Sequence, residues 1–425
     1  MKEVTYSSRS HRVMEIIAVS IIVLPFLAVL FYSDWLRMAI PTFHDGDEQI
    51  YHFPIIKSFS EQLPFPDISD YNSATGPLYH IVLAAGGRLL GLEIHSLRLL
   101  NMLFSIIGCI VFYKILRLRS DNHLLSALVS IVFSLSPYFF GSSFRLLTDN
   151  FAIMLYFASV YFLLKFSEKP NYGYWFSFCI FAMLCTVTRQ VYVYIFLIGL
   201  FVSVFNPSIN TKAKLVMTIG TFLSAIPLMM LIVLWEGFTP PTFQDKYATS
   251  IVFLPRSAGF AVAVVGVYYL LLHMPNLSEV WRNYRLLIPC IIIAILWLPF
   301  SPLAPQANRA DDGYLWKLSE ATPTILGSRL AFWMLFPIGL FALVKSMGYR
   351  LSGVPVGVWI ILSLAPYAFQ ENIFQKYYDL SVLPIMLIWF AFAGYYKANK
   401  VFFINMFLLI LLFCMYFCAK VLGIA

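Results

Sequence analysis

The chain has 425 residues, of which 60% are hydrophobic and only 12% are charged. A soluble domain carries about 25% charged residues, so this composition excludes an ordinary soluble fold and indicates a membrane protein. The net charge of +8 is not gathered in a basic block or arm, so it gives no support to nucleic-acid binding.

The N-terminal segment predicts a first membrane span that is not cleaved. Residues 1–12 are polar and basic, residues 14–32 are apolar, and no small-residue cleavage pattern follows them. The six cysteines all lie inside apolar runs, which indicates neither a disulfide framework nor a metal site built from cysteine and histidine.

Long apolar runs recur along the chain and predict an all-α, polytopic membrane protein with a single transmembrane domain, residues 1–425. A spanning helix needs about 20 mostly apolar residues, and about thirteen runs approach that length. The predicted spans are residues 14–32, 96–115, 122–140, 149–166, 172–188, 190–206, 213–235, 256–274, 286–300, 327–345, 352–368, 380–396 and 400–421.

The predicted topology depends on whether the run Pro77–Leu90 crosses the membrane or lies at its surface. It has 14 residues, which is too short to cross a bilayer comfortably, and the first-position Pro77 and the following Gly91 predict a separate interfacial helix. With this helix at the membrane surface, the short loops that carry most of the Lys and Arg face the cytoplasm, as the positive-inside rule requires. We expect function on the opposite face, lumenal or periplasmic, which receives the long loops 33–95, 236–255, 301–326 and 369–379.

An acidic cluster follows the first predicted span, within residues 44–52. Asp45 and Glu48 have the spacing of a capping box, and a helix is predicted from about Gly46 to Ser60. Asp47 shares a helix face with the side chain four residues later, as does Glu48 with His52. These acids could simply cap the helix and offset its macrodipole. Against that interpretation, three acids and two histidines within nine residues exceed what one cap needs.

Five short motifs occur in a fixed order over residues 14–200. They are Asp47–Pro54, Ala74–Tyr79, Leu97–Asn101, Leu147–Asp149 and Arg189–Tyr192. Together they resemble the GT-C glycosyltransferases, which are membrane enzymes that use polyprenyl-phosphate-linked sugars. The family most similar is the dolichyl-phosphate-glucose-dependent α-1,2-glucosyltransferase of lipid-linked oligosaccharide assembly, although one residue is added in the first motif and Val-Tyr follows Arg-Gln in the last.

The resemblance implies an inverting hexosyltransferase, with glucose favoured, that uses a polyprenyl- or dolichyl-phosphate donor and a lipid-linked glycan acceptor. An acceptor hydroxyl needs a general base, for which the resemblance points to Asp47, with Glu48 as the alternate and Asp149 as a second acid. Asp149 could instead be the N-cap of a span that starts at Phe151.

The leaving phosphate needs fixed cations at the membrane face, and arginine suits phosphate because its guanidinium is bidentate. An arginine at a span end could also simply snorkel, and tyrosines there could belong to an interfacial aromatic belt. The predicted substrate contacts are Asp45, His52, Tyr79, Arg98, Arg145, Arg189, Gln190, Lys376 and Tyr377.

The sequence contains no phosphate-binding glycine motif and no metal-ligand spacing of histidine and cysteine. The acids could hold a divalent cation such as Mg²⁺ or Mn²⁺ through oxygen ligands. Three alternatives to the glucosyltransferase remain: a transporter or flippase of lipid-linked glycans, a binding-only membrane subunit, and a bacterial GT-C enzyme that modifies another glycolipid. Transporters often show internal repeats and charges near mid-span, whereas this chain shows neither pattern clearly.

Overall fold

The computed structural model describes residues 8–31, 45–206, 209–244, 252–273, 277–304, 313–393 and 400–421. In these ranges the regular secondary structure is helical, apart from two short antiparallel hairpins, β1–β2 and β3–β4. The chain divides into two compact units, Met1–Thr249 with Ile410–Ala425, and Ser250–Leu409. The prediction of one domain over residues 1–425 stays a prediction.

The first unit contains the helices that carry most of the predicted site residues. A 3₁₀ turn, Gln190–Val193, separates α9 from α10. The helices are α1 (Ser8–Phe31), α2 (Asp45–Asp47), α3 (Phe53–Gln62), α4 (Leu78–Leu90), α5 (Ile94–Arg117), α6 (His123–Ser134), α7 (Pro137–Ser143), α8 (Thr148–Glu168), α9 (Tyr172–Thr188), α10 (Tyr194–Phe205), α11 (Thr211–Trp235) and α12 (Pro241–Gln244).

The second unit is built from the remaining helices and both hairpins. The strands are β1 (Thr324–Ile325), β2 (Ser328–Arg329), β3 (Arg350–Leu351) and β4 (Val354–Pro355). The helices are α13 (Pro255–His273), α14 (Leu277–Arg282), α15 (Tyr284–Phe300), α16 (Tyr314–Glu320), α17 (Leu330–Ser346), α18 (Val356–Leu364), which continues as the 3₁₀ turn Ala365–Phe369, α19 (Gln375–Phe392) and α20 (Lys400–Val421), whose last turns belong to the first unit.

The predicted all-α, polytopic fold class is confirmed. Five of the described helices are long and apolar enough to cross a membrane, and the bent pair α6–α7 makes up to six. Several further apolar helices are shorter, with 10–17 residues. The count of thirteen spans therefore stays a prediction. The five are His11–Phe31, Ile94–Arg117, Thr148–Glu168, Thr211–Trp235 and Pro255–Leu272.

The span predicted at residues 122–140 is broken in the structure. Helix α6 ends at Ser134 and α7 begins at Pro137, with a bend of 77° between them. Proline has no N–H to donate and disfavours helical geometry at the residue before it, and Ser136 is accordingly extended, with φ −58° and ψ 137°. The break leaves α7 only seven residues long, so the chain turns back toward α8.

The acidic segment forms the predicted helix, but with a change of helical type. Residues 48–52 form a π-helical turn between α2 and α3, in which the Phe53 N–H donates to the Glu48 carbonyl. Pro54 follows directly at the start of α3 and cannot donate to the carbonyl four residues earlier, which favours this wider turn. Both Glu48 and His52 are buried by it.

The separate short helix predicted at Pro77–Leu90 is present as α4, and Gly91 ends it with φ +98°; its interfacial position stays a prediction. The segment before it is held against the end of α9, where the Gly76 N–H donates to the Thr188 carbonyl at 3.0 Å. A Cβ on Gly76 would lie 1.8 Å from the Val187 carbonyl oxygen, so only glycine fits this crossing. The start of α4 is thus fixed directly beside Arg189.

Candidate active site

Glu48 and Arg98 form a buried, two-pronged ion pair. Arg98 Nε donates to Oε1 at 2.9 Å and its Nη2 donates to Oε2 at 2.5 Å, while the Leu146 N–H also donates to Oε1 at 2.9 Å. Glu48 is 1% exposed and Arg98 is 5% exposed. Both carboxylate oxygens of Glu48 are therefore engaged, and the pair ties the acidic helix to the second turn of α5.

Asp149 and Arg189 form the second ion pair of the site. The Arg189 guanidinium donates to Asp149 Oδ1 and lies 3.4 Å from Thr148 Oγ1. Asp149 lies in the first turn of α8, whereas Arg189 occupies the extended residue that ends α9. The pair thus joins the beginning of α8 to the end of α9.

The short turn Arg145–Asp149 brings the two ion pairs together. Its Leu146 N–H binds Glu48, and its last residue accepts from Arg189. Burial raises the pKa of the Tyr79 hydroxyl well above its usual range, and the charges of Glu48 and Asp149 raise it further. One tyrosine therefore lies within electrostatic reach of both carboxylates. Arg145 adds a third guanidinium, 2% exposed, at the same turn.

Asn101 holds this turn in place from α5. Its amide nitrogen donates to the carbonyls of Ser142, Ser143 and Arg145 at 2.9, 3.3 and 2.6 Å. Its amide oxygen accepts from the Tyr79 hydroxyl at 3.1 Å. The asparagine is fully buried, so its amide supplies the hydrogen bonds that these three carbonyls would otherwise need from water.

A pair of histidines lies behind the acidic helix. His52 Nδ1 and His80 Nε2 are 2.9 Å apart, and the rings are stacked with centroids 5.2 Å apart. Burial lowers the pKa of His80 well below its usual range, and the charge that His52 can take up lowers it further, against the raising effect of the Gly76 carbonyl. His80 is therefore held neutral, and the histidine pair links the π-helical turn to α4.

Asp47 is half-buried, in contrast to its buried neighbour Glu48. It directly precedes the π-helical turn, and Tyr51, which is also half-buried, follows four residues later. Among the three predicted acids, Asp47 is the most accessible. The side chain of Asp45 lies outside the described residues.

Gln190 connects the site to the loop after α11. Its amide nitrogen donates to the Phe238 carbonyl at 2.8 Å. The same loop packs Phe243 edge-on against Tyr51, with centroids 5.5 Å apart. Thus two of the predicted site segments contact one loop that sequence reasoning left without a role.

Lys376 and Tyr377 belong to the second unit, in the first turn of α19. Lys376 is 6% exposed, and its Nζ lies 4.9 Å from the centre of the Tyr377 ring. Tyr377 stacks parallel on Tyr367, with centroids 6.0 Å apart. These contacts describe a cation held over aromatic rings, and the predicted substrate role of both residues stays a prediction.

Three local expectations were wrong. Glu48 does not close a capping box, because its carboxylate binds Arg98 and Leu146. Asp149 is not an N-cap, because α8 already begins at Thr148. The loop predicted at residues 369–379 ends at Phe374, and Gln375 starts α19.

Sequence reasoning also missed residues that organise the site. Asn101 is the last residue of the motif Leu97–Asn101, but its sequence context, an asparagine within an apolar run, predicted no function for it. His80 and Asp70 had no local signal, because their partners lie 28 and 172 residues away along the chain. Within the described residues, no group of three or more His, Cys, Asp or Glu side chains could hold a metal ion.

Residues 74–235 match the family of dolichyl-phosphate-mannose-protein mannosyltransferases, which is less than half of the chain. The matched segment contains Tyr79, Arg98, Asp149 and Arg189, and its start lies just after the acidic helix. This match supports the GT-C class of membrane glycosyltransferase for that segment. A comparison with curated protein sequences gave no match.

Two solved proteins are similar in structure at low identity. The ArnT of Cupriavidus metallidurans bound to undecaprenyl phosphate is 13% identical, with a TM-score of 0.38, and the match covers 89% of this chain and 78% of that one. The archaeal oligosaccharyltransferase AglB of Archaeoglobus fulgidus, in complex with an inhibitory peptide and a dolichol-phosphate, is 14% identical, with a TM-score of 0.45. That match covers 97% of this chain and 56% of AglB.

Proposed function

We propose that this protein is an inverting GT-C glycosyltransferase that moves a hexose from a polyprenyl-phosphate donor to a hydroxyl group of a lipid-linked glycan. One observation carries the proposal: the turn Arg145–Asp149 gathers two arginine–carboxylate pairs beside the half-buried Asp47. The family match over residues 74–235 supports the use of a lipid-phosphate donor. The positive-inside rule supports the assignment of this activity to the non-cytoplasmic face.

Asp47 is the proposed general base. The base must reach the proton of the acceptor hydroxyl, which requires an accessible carboxylate. Glu48 is engaged on both oxygens by Arg98 and Leu146, and Asp149 accepts from Arg189. Their proposed tasks are to hold the guanidinium groups and the turn in place, and proton transfer is assigned to Asp47 because it is the most accessible of the three acids.

Arg145 and Arg189 are the proposed phosphate contacts. Polyprenyl phosphate leaves as an anion, and fixed guanidinium groups in a poorly solvated site stabilise the charge that develops on it. Arg98 is directed to Glu48 through its Nε and Nη2 atoms, so we assign it the task of positioning that helix.

Glucose is the favoured sugar because the ordered motifs are most similar to those of the glucosyltransferases. The acceptor is proposed to be a lipid-linked oligosaccharide for the same reason. Mannose is the principal competitor, since the family that matches residues 74–235 is named for a mannosyl donor.

The test is the release of polyprenyl phosphate from labelled polyprenyl-phosphate-glucose and polyprenyl-phosphate-mannose by purified protein with a lipid-linked oligosaccharide acceptor. We expect turnover that depends on the acceptor and that Asp47→Asn abolishes while donor binding remains. Turnover with mannose alone would replace glucose. Acceptor-dependent lipid translocation in proteoliposomes, without release of polyprenyl phosphate, would favour a transporter.

A further inference from the structure

The loop Glu236–Gln244, which follows α11, is held by hydrogen bonds to other segments of the first unit at two places, and a further bond holds the end of α11 directly before it. The Thr242 N–H and Oγ1 donate to the two carboxylate oxygens of Asp70 at 2.9 and 2.5 Å. The Phe238 carbonyl accepts from Gln190 at 2.8 Å. At the end of α11, Trp235 Nε1 donates to the Ile68 carbonyl at 2.8 Å.

Further hydrogen bonds inside the loop fix its shape. Gln244 Nε2 donates to the carbonyls of Trp235 and Thr239 at 2.5 and 3.1 Å. Phe243, between Thr242 and Gln244, is 6% exposed and packs edge-on against Tyr51. The two loop ends are therefore closed on each other, and the aromatic side chain is directed to the acidic helix.

Tyr51 lies on the helix that carries Asp47, four residues further along. Both side chains are half-buried, while Glu48 and His52 on the other side of the same turn are buried. A hydroxyl group that gives its proton to Asp47 must therefore approach along the side that Tyr51 and the loop share. Sugar rings present C–H faces that pack on aromatic rings, and an aromatic wall with a few placed polar groups is typical of a ligand site.

We infer that the Glu236–Gln244 loop forms the acceptor-side wall of the site, and that Tyr51, backed by Phe243, contacts the sugar ring that carries the acceptor hydroxyl. The inference rests on the proposed function, because it takes Asp47 as the base. Asp70 acts through Thr242 as a positioning residue: its carboxylate holds the loop, and the loop holds Phe243 against Tyr51.

Two aspartates of the same surface loop provide a matched pair of variants. Asp70→Asn weakens the bonds to Thr242, whereas Asp67→Asn alters only the local turn in which Asp67 accepts from the N–H and Oγ of Ser69. Thr242→Val removes the hydroxyl bond from the other side with little change of shape. Tyr51→Phe keeps the aromatic ring, whereas Tyr51→Ala removes it.

The experiment measures the affinity of the purified full-length variants for phytanyl-diphosphate-linked oligosaccharides that end in glucose or in mannose, and separately for phytanyl phosphate. We expect Asp70→Asn, Thr242→Val and Tyr51→Ala to bind the oligosaccharides about tenfold more weakly, as for the loss of one or two good contacts. Asp67→Asn should bind as the wild type does, Tyr51→Phe should lose less affinity than Tyr51→Ala because it keeps the ring, and affinity for phytanyl phosphate should stay unchanged in all five.

Hydrogen exchange separates a positioning effect from a general loss of structure. Asp70→Asn should speed exchange of the Thr242 amide, while the amides of α5 and α8 keep the protection of the wild type. Equal oligosaccharide affinity in Asp70→Asn, Asp67→Asn and Tyr51→Ala would overturn the inference, as would an absence of oligosaccharide binding by the wild type. Binding that follows the expected pattern without any sugar transfer would uphold the inference and remove the proposed function instead.

Discussion

At the residue scale, the candidate site contains two carboxylates that are buried in arginine pairs and one more accessible carboxylate, Asp47, which is the proposed base. Glu48 and Asp149 are both committed to arginines, and neither can leave its partner without exposing a buried charge. Asp47 is adjacent in sequence to Glu48 and yet half-buried. Neighbouring acids of the same motif therefore have different expected phenotypes.

Asp47→Asn should reduce sugar transfer by about 10²–10⁴-fold, because an amide cannot accept the acceptor proton. Donor affinity and thermal stability should change less than for Glu48 or Asp149, since Asp47 is only half-buried. The measurement is initial rate of transfer beside donor binding. Asp67→Asn serves as the control for a lost surface charge, and a rate in Asp47→Asn close to that of the wild type would exclude Asp47 as the base.

Glu48→Gln should mainly destabilise the protein. It leaves the Arg98 guanidinium buried at 5% exposure opposite a neutral amide, and breaking a buried pair costs about 3–5 kcal/mol. The measurement is the unfolding midpoint in a fixed detergent. Glu61→Gln on α3, an exposed position, is the matched control. An unchanged midpoint together with lost activity would instead indicate a direct chemical role for Glu48.

His80 should make the stability of the protein fall at acid pH. Because burial lowers its pKa in the folded state, the unfolded chain takes up a proton first as the pH falls below the ordinary value of 6.5. Above that pH the ring is neutral in both the folded and the unfolded state and does not change the free energy of unfolding. Below it, the free energy of unfolding falls progressively. Unfolding midpoints between pH 7.5 and 5 should fall less in His80→Gln than in the wild type, with His95→Gln as the control. Parallel curves for all three proteins would contradict this.

At the scale of elements, the site depends on how helix ends are fixed rather than on the spans themselves. The π-helical turn buries Glu48 and His52 together, the 3₁₀ turn Gln190–Val193 follows Arg189 directly, and Gly76 fastens α4 to the end of α9. Each of these irregular segments carries or adjoins a predicted site residue.

Gly76→Ala should disturb the position of Arg189. The new Cβ would lie 1.8 Å from the Val187 carbonyl oxygen, so the backbone of α4 or α9 must move, at a cost of about 1–3 kcal/mol. We expect a lower unfolding midpoint and weaker donor binding. Gly141→Ala on α7 is the control, because a Cβ there meets nothing within 4 Å. Equal behaviour of the two alanine variants would show that the crossing is not required.

Sequence reasoning was most successful where one element determines its own structure. The ends of α5, α8 and α11 follow from their apolar runs, and the helix of the acidic segment follows from its spacing. It failed where distant partners decide, as for Glu48, whose capping spacing is overruled by Arg98, 50 residues away. The loop after α11 could not be given a role because its anchor, Asp70, is 172 residues from Thr242.

At the scale of the whole molecule, the proposed function requires that the site and the basic end of α5 face opposite sides of the membrane. Arg98 lies in the second turn of α5, whereas Lys114 and Arg117 lie in its last turn. Helix α5 is long and apolar enough to cross a membrane. Its direction in the bilayer therefore fixes the side on which sugar transfer takes place.

Cysteines introduced at Phe65 and Arg119 should be labelled from opposite sides. Phe65 is 89% exposed in the loop before α4, and Arg119 is exposed just after α5. In right-side-out vesicles or intact cells, an impermeant maleimide should label Phe65→Cys at once and Arg119→Cys only after permeabilisation. The protein without an added cysteine gives the background. The reverse pattern would put the site on the cytoplasmic face and contradict the predicted topology.

The bend at Pro137 has a consequence for how the chain is assembled. In hydrocarbon, a backbone carbonyl that leaves a helix has no water to bind, and α7 relies on Asn101 of α5 and Asn150 of α8 for its Phe139, Ser142 and Ser143 carbonyls. During synthesis, α6 and α7 emerge before α8, so the bent pair is incompletely bonded until Asn150 arrives. A nascent chain stopped after Ser143 should therefore be more accessible to protease than one stopped after Glu168. Two asparagines thus set the order in which this part of the membrane domain becomes stable.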